Sequence, residues 1–106
     1  MEVVNQLKEM VGEEMLISVF EDFEREAEEQ IQNAKNAYPD DVRTIQQELH
    51  TLKGNSGPIG LARIHDITEI IEVPSKTGDL THFQENLVFL EEEFKIFRER
   101  YKTLLW

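Results

Sequence analysis

An apolar series near the end of the chain constrains the fold more than any other feature of the sequence. Its members are spaced alternately four and three residues apart over six helical turns, and they are Phe83, Leu87, Leu90, Phe94, Phe97, Tyr101 and Leu104. Such spacing keeps one side of a helix apolar, which is typical of the seam of a helical bundle. Because an isolated helix cannot bury its own apolar face, this helix requires others packed against it.

Three further segments carry helical periodicity and would supply those partners. Their apolar positions are Met15, Leu16, Val19, Phe20, Phe23, Ala27, Ile31 and Ala34 in the first segment, Val42, Ile45, Leu49 and Leu52 in the second, and Leu61, Ile64, Ile67, Thr68 and Ile71 in the third. A short opening helix is predicted from Val4, Leu7, Met10 and Val11. We interpret the methionine and phenylalanine stripe of the first segment as core rather than as a cofactor site.

Prolines and glycines set the predicted boundaries. Tyr38-Pro39 ends the first long helix, because the residue before a proline avoids the helical region. Residues 39–41, Pro-Asp-Asp, are predicted to form the first turn of the next helix, where proline loses no hydrogen bond and acids favour the positive helix end. That helix should end near Gly57.

The remaining boundaries complete the predicted architecture. Pro74 closes the third segment, and Thr81 with Gln84 is predicted to form a capping box for the last helix. A chain of 106 residues is the size of one domain with one modest core. We therefore predict an all-α fold: a single domain over residues 1–106, folded as an up-and-down antiparallel four-helix bundle with a short additional N-terminal helix.

Composition narrows the classes of function. A formal net charge of -11 argues against nucleic acid or an anionic membrane as a partner. No charged-then-apolar leader pattern opens the sequence, so we expect no secretory precursor, and no apolar run is long enough to span a bilayer. The absence of cysteine excludes disulfides and thiolate metal sites, and it is compatible with a reducing cytoplasm. We expect a cytoplasmic monomer.

One polar position is marked out by its neighbours. His50 follows Leu49 of an apolar stripe, so it should turn toward solvent. Lys53, three residues on, and Gly57, seven residues on, share its helix face. An imidazole with an ordinary pKa of about 6.5 is largely neutral at pH 7 and has a lone pair for attack. The arrangement suits a nucleophile that is approached by a large anionic partner.

Residues 50–60, His-Thr-Leu-Lys-Gly-Asn-Ser-Gly-Pro-Ile-Gly, resemble the signature of histidine-containing phosphotransfer (HPt) domains. The pattern of that family is His-x-Leu-Lys-Gly, followed by small residues and a glycine. The resemblance covers nearly the whole chain, because Phe20, Phe23, Asp79 and the long last helix fall where the family has comparable features. Pro58 departs from the pattern, since it removes a backbone donor and predicts a tighter or earlier helix end.

The resemblance implies phosphorelay chemistry. His50 would take a phosphoryl group from a receiver aspartate or from a histidine kinase and pass it to another receiver. Lys53 would stabilise the phosphoryl charge, and Gly54, Gly57 and Gln46 would form the clearance and docking surface for the partner. The resemblance implies no cofactor and no metal on this chain, because the receiver brings its own Mg²⁺ and acidic pocket.

Glu72, 22 residues after His50, resembles a glutamate or glutamine of the family that hydrogen-bonds the other ring nitrogen of the histidine. Such a bond would fix the tautomer so that the outer nitrogen attacks. The alternative is a solvated charge near the end of a helix.

Other interpretations use the same residues. His65 has Glu69 and Glu72 at four and seven residues, a spacing that permits a metal site, but we interpret His65 and His82 as surface residues. At the level of function, the chain is either a phosphoryl carrier, a non-catalytic helical interaction module, or the phosphorylated domain of a chemotaxis-type kinase cut from a longer chain. The joint presence of His50 and Lys53 favours the first, because docking alone requires neither.

Overall fold

The computed structural model of the protein describes Glu9 and residues 12–105. Its four long helices are α1 (Glu13–Ala37), α2 (Val42–Ser56), α3 (Ala62–Ser75) and α4 (Phe83–Leu105). No strand occurs in these residues, so the predicted all-α class is confirmed. The opening helix predicted from Val4, Leu7, Met10 and Val11 lies outside the described residues.

The helices form an elongated bundle of 42 × 18 × 18 Å. Helix α1 packs against α2 and α4, and α3 packs against the same two helices from the other side. Short connections join consecutive helices, so neighbours run antiparallel as predicted.

The core is the apolar stripe of each helix, with α4 contributing the longest one. The buried members of the α4 series are Phe83, Leu87, Leu90, Phe94, Phe97 and Tyr101. Phe20 of α1 packs edge-on against Phe97, with ring centroids 5.6 Å apart. Met15 was predicted in this core but is 58% exposed, because it lies one residue off the face that carries Leu16.

Helix α2 begins at Val42, about one turn later than the sequence predicted. Asp41 caps the helix from outside, where its side chain accepts hydrogen bonds from the Thr44 amide at 3.1 Å and the Thr44 hydroxyl at 2.7 Å. Pro39 and Asp40 therefore lie in the preceding turn rather than in the helix. A carboxylate at this position compensates the unpaired amides of the first turn.

The entry into α4 also corrects the sequence prediction. The helix begins at Phe83, so Thr81 is too early to cap it. The Thr81 hydroxyl and amide instead donate to Asp79 Oδ1, at 2.6 and 3.0 Å. The predicted capping box with Gln84 is therefore wrong, and an acid-centred turn holds this loop.

Helix α3 turns an unusually polar stripe toward the interior. Thr68, Glu72 and Ser75 are buried beside Ile64 and Ile71. The hydroxyls of Thr68 and Ser75 donate to backbone carbonyls of their own helix, at 2.6 and 2.5 Å, so they need no other partner. The Glu72 carboxylate cannot be satisfied in that way, and its position at the α2–α3 seam determines the site described next.

Candidate functional site

His50 lies on the outer surface of α2, where the core residues on either side of it orient it. Leu49 and Leu52 are buried, so the helix turns the His50 side chain outward, and 66% of it is exposed. The predicted exposure of this imidazole is confirmed. Gln46, one turn earlier on the same face, is half-buried.

Glu72 reaches His50 from α3. Its carboxylate has no exposed surface, and Oε1 lies 3.0 Å from Nδ1 of His50. Because a carboxylate only accepts hydrogen bonds, this contact places the proton of the neutral ring on Nδ1. The Nε2 lone pair is then free on the exposed side of the ring. Glu72 is thus not the solvated charge that was the alternative from sequence.

Two lysines approach the same carboxylate. Lys53 Nζ lies 2.7 Å from Glu72 Oε2, off the direction of a well-formed hydrogen bond, so the two groups form an ion pair. Lys76 Nζ lies 3.8 Å from Oε1, the oxygen that also accepts from His50. Lys53 is largely covered, with 19% of its side chain exposed, whereas Lys76 is half-exposed at 49%.

These contacts decide the charge of the buried group. Burial alone would raise the pKa of Glu72, but the contacts from Lys53 and His50 and the charge of Lys76 outweigh burial and hold that pKa below its ordinary value. The contact with Glu72 in turn raises the pKa of Lys53. At neutral pH both groups are therefore ionised.

The two glycines after His50 have different surroundings. A Cβ built on Gly54 would meet nothing within 4 Å. A Cβ on Gly57 would lie 3.3 Å from Cδ2 of His65, so the imidazole of His65 rests against this glycine. Gly57 caps α2 as predicted, and its φ of −59° and ψ of −53° are helical although it precedes Pro58.

The other two histidines have carboxylate partners of their own. His65 Nδ1 lies 3.2 Å from Asp66, and His82 Nδ1 lies 3.4 Å from Glu85. Glu72 turns toward α2 and pairs with Lys53 there, so it does not join His65 in a cluster. Within Glu9 and residues 12–105, no three His, Asp or Glu side chains are arranged to hold a metal ion.

His50 lies on open surface, since 66% of its side chain is exposed, and a partner of protein size can reach it there. A cavity of about 300 Å³ lies between α3 and α4 and has a mainly apolar lining that includes Phe20, Leu61 and Phe97. Neither His50 nor Lys53 lines this cavity.

Sequence reasoning brought His50, Lys53 and Glu72 together but assigned no role to Lys76. A signal for Lys76 was present, because it lies four residues after Glu72 and so shares the face of that residue on α3. None of the helices in the described part of the chain is long and apolar enough to cross a membrane.

Comparisons with known proteins agree with the helical-bundle fold. The sequence matches the Hpt domain family over residues 18–100. A crystal structure of histidine-containing phosphotransfer protein B (HptB) from Pseudomonas aeruginosa PAO1 superposes with a TM-score of 0.90, at 22% identity, over 98% of this chain and 90% of that one. At that identity the likeness establishes the fold. No curated protein matches the sequence.

Proposed function

The chain belongs to the Hpt domain family, which acts in phosphorelays by exchanging phosphoryl groups with receiver domains and histidine kinases, and we propose that His50 is the residue that carries the phosphoryl group here. The observation that carries this proposal is the environment of the ring. Its Nδ1 is bound to a buried carboxylate at 3.0 Å, while the opposite nitrogen is on the exposed side. The other two histidines pair with exposed carboxylates instead.

The reaction follows from that tautomer. The Nε2 lone pair attacks the phosphorus of a phosphorylated receiver aspartate, so that a nitrogen–phosphorus bond forms while the acyl oxygen–phosphorus bond breaks. The aspartate leaves as a carboxylate with the electron pair of the broken bond. The Nδ1 proton stays on the ring, which becomes positively charged, and the ionised Glu72 at 3.0 Å stabilises that charge. Transfer to the next receiver is the reverse sequence.

Lys53 supports this step electrostatically. Phosphoryl transfer depends on positioning and charge stabilisation more than on covalent assistance by the protein. Lys53 lies one helical turn after His50 and carries its positive charge against the carboxylate that binds the ring. Its contact with Glu72 also keeps that carboxylate ionised and in place. We therefore assign Lys53 both to stabilising the phosphoryl charge and to orienting Glu72.

The surface around His50 suits a protein partner. We propose that a receiver docks over α2, with Gln46 before His50 and Gly54 and Gly57 after it. The open space above Gly54 leaves room for a receiver loop. The receiver supplies Mg²⁺ from its own acidic pocket, since Glu72 is engaged by His50 and Lys53. We further propose a cytoplasmic monomer with neither nucleic acid nor membrane as a partner, which the net charge of -11 supports.

The test is direct transfer. Receiver domains from the organism that encodes this chain are phosphorylated on aspartate with a labelled small-molecule phosphodonor, separated from it, and mixed with the protein. Rapid appearance of acid-labile label on this chain is the expected result. If none of those receivers transfers label to the chain, and no histidine kinase does, the proposal is wrong.

A further inference from the structure

Lys76 has no role in the mechanism above, although its ammonium group lies at the same carboxylate as His50. We propose that Lys76 is a second cation for the phosphoryl group: it moves from Glu72 to the phosphoryl oxygens when His50 is phosphorylated, and it raises the stability of the phosphorylated state. This inference rests on the proposed role of His50.

The charge balance of the cluster gives the first reason. When the ring is in the neutral form that can attack, one carboxylate is faced by two ammonium groups, so the cluster carries one positive charge in excess. Phosphorylation adds a group of about -1.5 to -2, by analogy with other phosphorylated side chains, together with one positive charge on the ring. The cluster is then close to neutral only if both lysines remain beside it.

The two lysines are not equally free to respond. Lys53 lies 2.7 Å from Oε2 and is largely covered, so moving it would leave a buried carboxylate oxygen without its partner. Lys76 is half-exposed and only 3.8 Å from Oε1, an oxygen that keeps His50 as a partner when Lys76 leaves. Because this contact is longer than that of Lys53 and the ammonium group is already half-exposed, releasing Lys76 from Glu72 costs less than releasing Lys53.

The position of Lys76 in the fold also suits a residue that moves to the phosphoryl group. It follows the last residue of α3, where its backbone amide bonds to the carbonyl of Glu72. The amide bonds therefore fix its backbone next to the site, while its side chain is left half-exposed. Lys53 approaches the carboxylate at Oε2 and Lys76 approaches it at Oε1, so the two ammonium groups reach the carboxylate that binds the ring from α2 and from the end of α3.

The experiment measures the phosphoryl equilibrium between one receiver and this chain, for wild type and Lys76→Met. The expected result is a three- to fivefold shift of that equilibrium toward the receiver, about the size that one exposed ion pair supports. The shift should shrink at high salt, which screens the wild-type interaction, and Lys76→Arg should restore most of the wild-type equilibrium. The ¹⁵N spectrum of the unphosphorylated ring should stay unchanged in Lys76→Met. If Lys76 only held Glu72 in place, its loss would alter that spectrum.

Lys102→Met is the matched control. Lys102 Nζ lies 3.6 Å from Glu24 with 47% of its side chain exposed, so it resembles Lys76 in pairing and exposure but lies near the end of α4. The Lys102→Met variant should have the same phosphoryl equilibrium as wild type. A Lys76→Met equilibrium equal to wild type, or a shift reproduced by Lys102→Met, would overturn the inference while leaving His50 as the carrier. A wild-type chain that accepts no label would instead refute the proposed function itself.

Discussion

Nδ1 of His50 lies 3.0 Å from Oε1 of Glu72, so an imidazole that is two-thirds exposed is held by a carboxylate that is fully buried. The exposed partner is free to meet another protein, and the buried partner cannot be displaced by solvent. The pair thus combines accessibility with a fixed ring orientation.

Replacing His50 by Gln should abolish phosphorylation. Glutamine has no lone pair of comparable nucleophilicity, and the two remaining histidines are paired with exposed acids. The measurement is transfer of labelled phosphate from a phosphorylated receiver, with His65→Gln and His82→Gln as controls that retain it. Label that persists in His50→Gln would show that another residue carries the phosphoryl group.

Replacing Glu72 by Ala should release the ring tautomer. Without an acceptor at Nδ1, the proton redistributes between the two nitrogens, and the fraction of ring with a free Nε2 lone pair falls. Transfer should slow, and the ¹⁵N spectrum of the imidazole should report the change. Glu72→Gln retains an acceptor oxygen and should keep the wild-type tautomer. An Ala variant with an unchanged ring spectrum would show that Glu72 does not orient His50 in solution.

The interactions of Glu72 should make stability depend on pH. Its pKa in the folded chain lies below the ordinary value of 4.5, so the stabilisation is complete above about that pH and is lost as the pH falls through the lowered folded value. The difference in free energy of unfolding between wild type and Glu72→Gln is expected to be about 1–3 kcal/mol at neutral pH. This difference in free energy of unfolding should shrink toward zero in acid. Asp41 and Asp79, whose pKa values are also lowered, affect both proteins equally and cancel.

Replacing Lys53 by Met should impair both transfer and folding. Transfer should slow by about tenfold or more, as for the loss of a hydrogen bond to a charged group. The free energy of unfolding should also fall, because the buried Glu72 loses its closest cation. Lys35→Met is the control, since Lys35 forms an exposed pair with Glu91 at 3.3 Å and should matter little. Equal stability of the two variants would show that Lys53 does not support Glu72.

Substitutions at Gly54 and Gly57 should separate folding from docking. Gly54 lies inside α2 with open space around it, so Gly54→Ala should stabilise the fold by about 0.5–1 kcal/mol. Gly54→Gln should fold and yet transfer slowly, because its side chain blocks the receiver. Gly57→Gln should also block transfer and displace His65, whose ring is 3.3 Å from the new Cβ. Normal transfer by a folded Gly54→Gln variant would place the docking surface elsewhere.

The sequence was sufficient for the parts of the fold that periodicity controls. The stripe of α4 and the pair Leu49 and Leu52 fixed which faces are buried, and the exposure of His50 followed from them. The first residue of each helix was harder to predict, because capping depends on which side chain reaches the free amides. Asp41 caps α2, whereas Asp79 binds Thr81 within the loop before α4, and residue order alone does not show this difference.

The interior of the site was predicted only through family resemblance. Glu72 and Thr68 are buried, whereas Ile70 and Val73 on the same helix are 57% and 51% exposed. Hydrophobicity alone would therefore not place Glu72 inside, since a glutamate near a helix end has the pattern of a solvated residue. The convergence of Lys53 and Lys76 on one carboxylate depends on how α2 and α3 pack against each other, which local sequence does not specify.

The open surface at His50 has a consequence for chemical inhibition. Drug-sized molecules bind in concave, mostly apolar sites, whereas the His50 side chain is 66% exposed. The cavity of about 300 Å³ between α3 and α4 is large enough for a small ligand, but a molecule bound there would leave the imidazole uncovered. A compound that stops this transfer would therefore have to cover α2 as broadly as a protein does, or bind to the receiver instead.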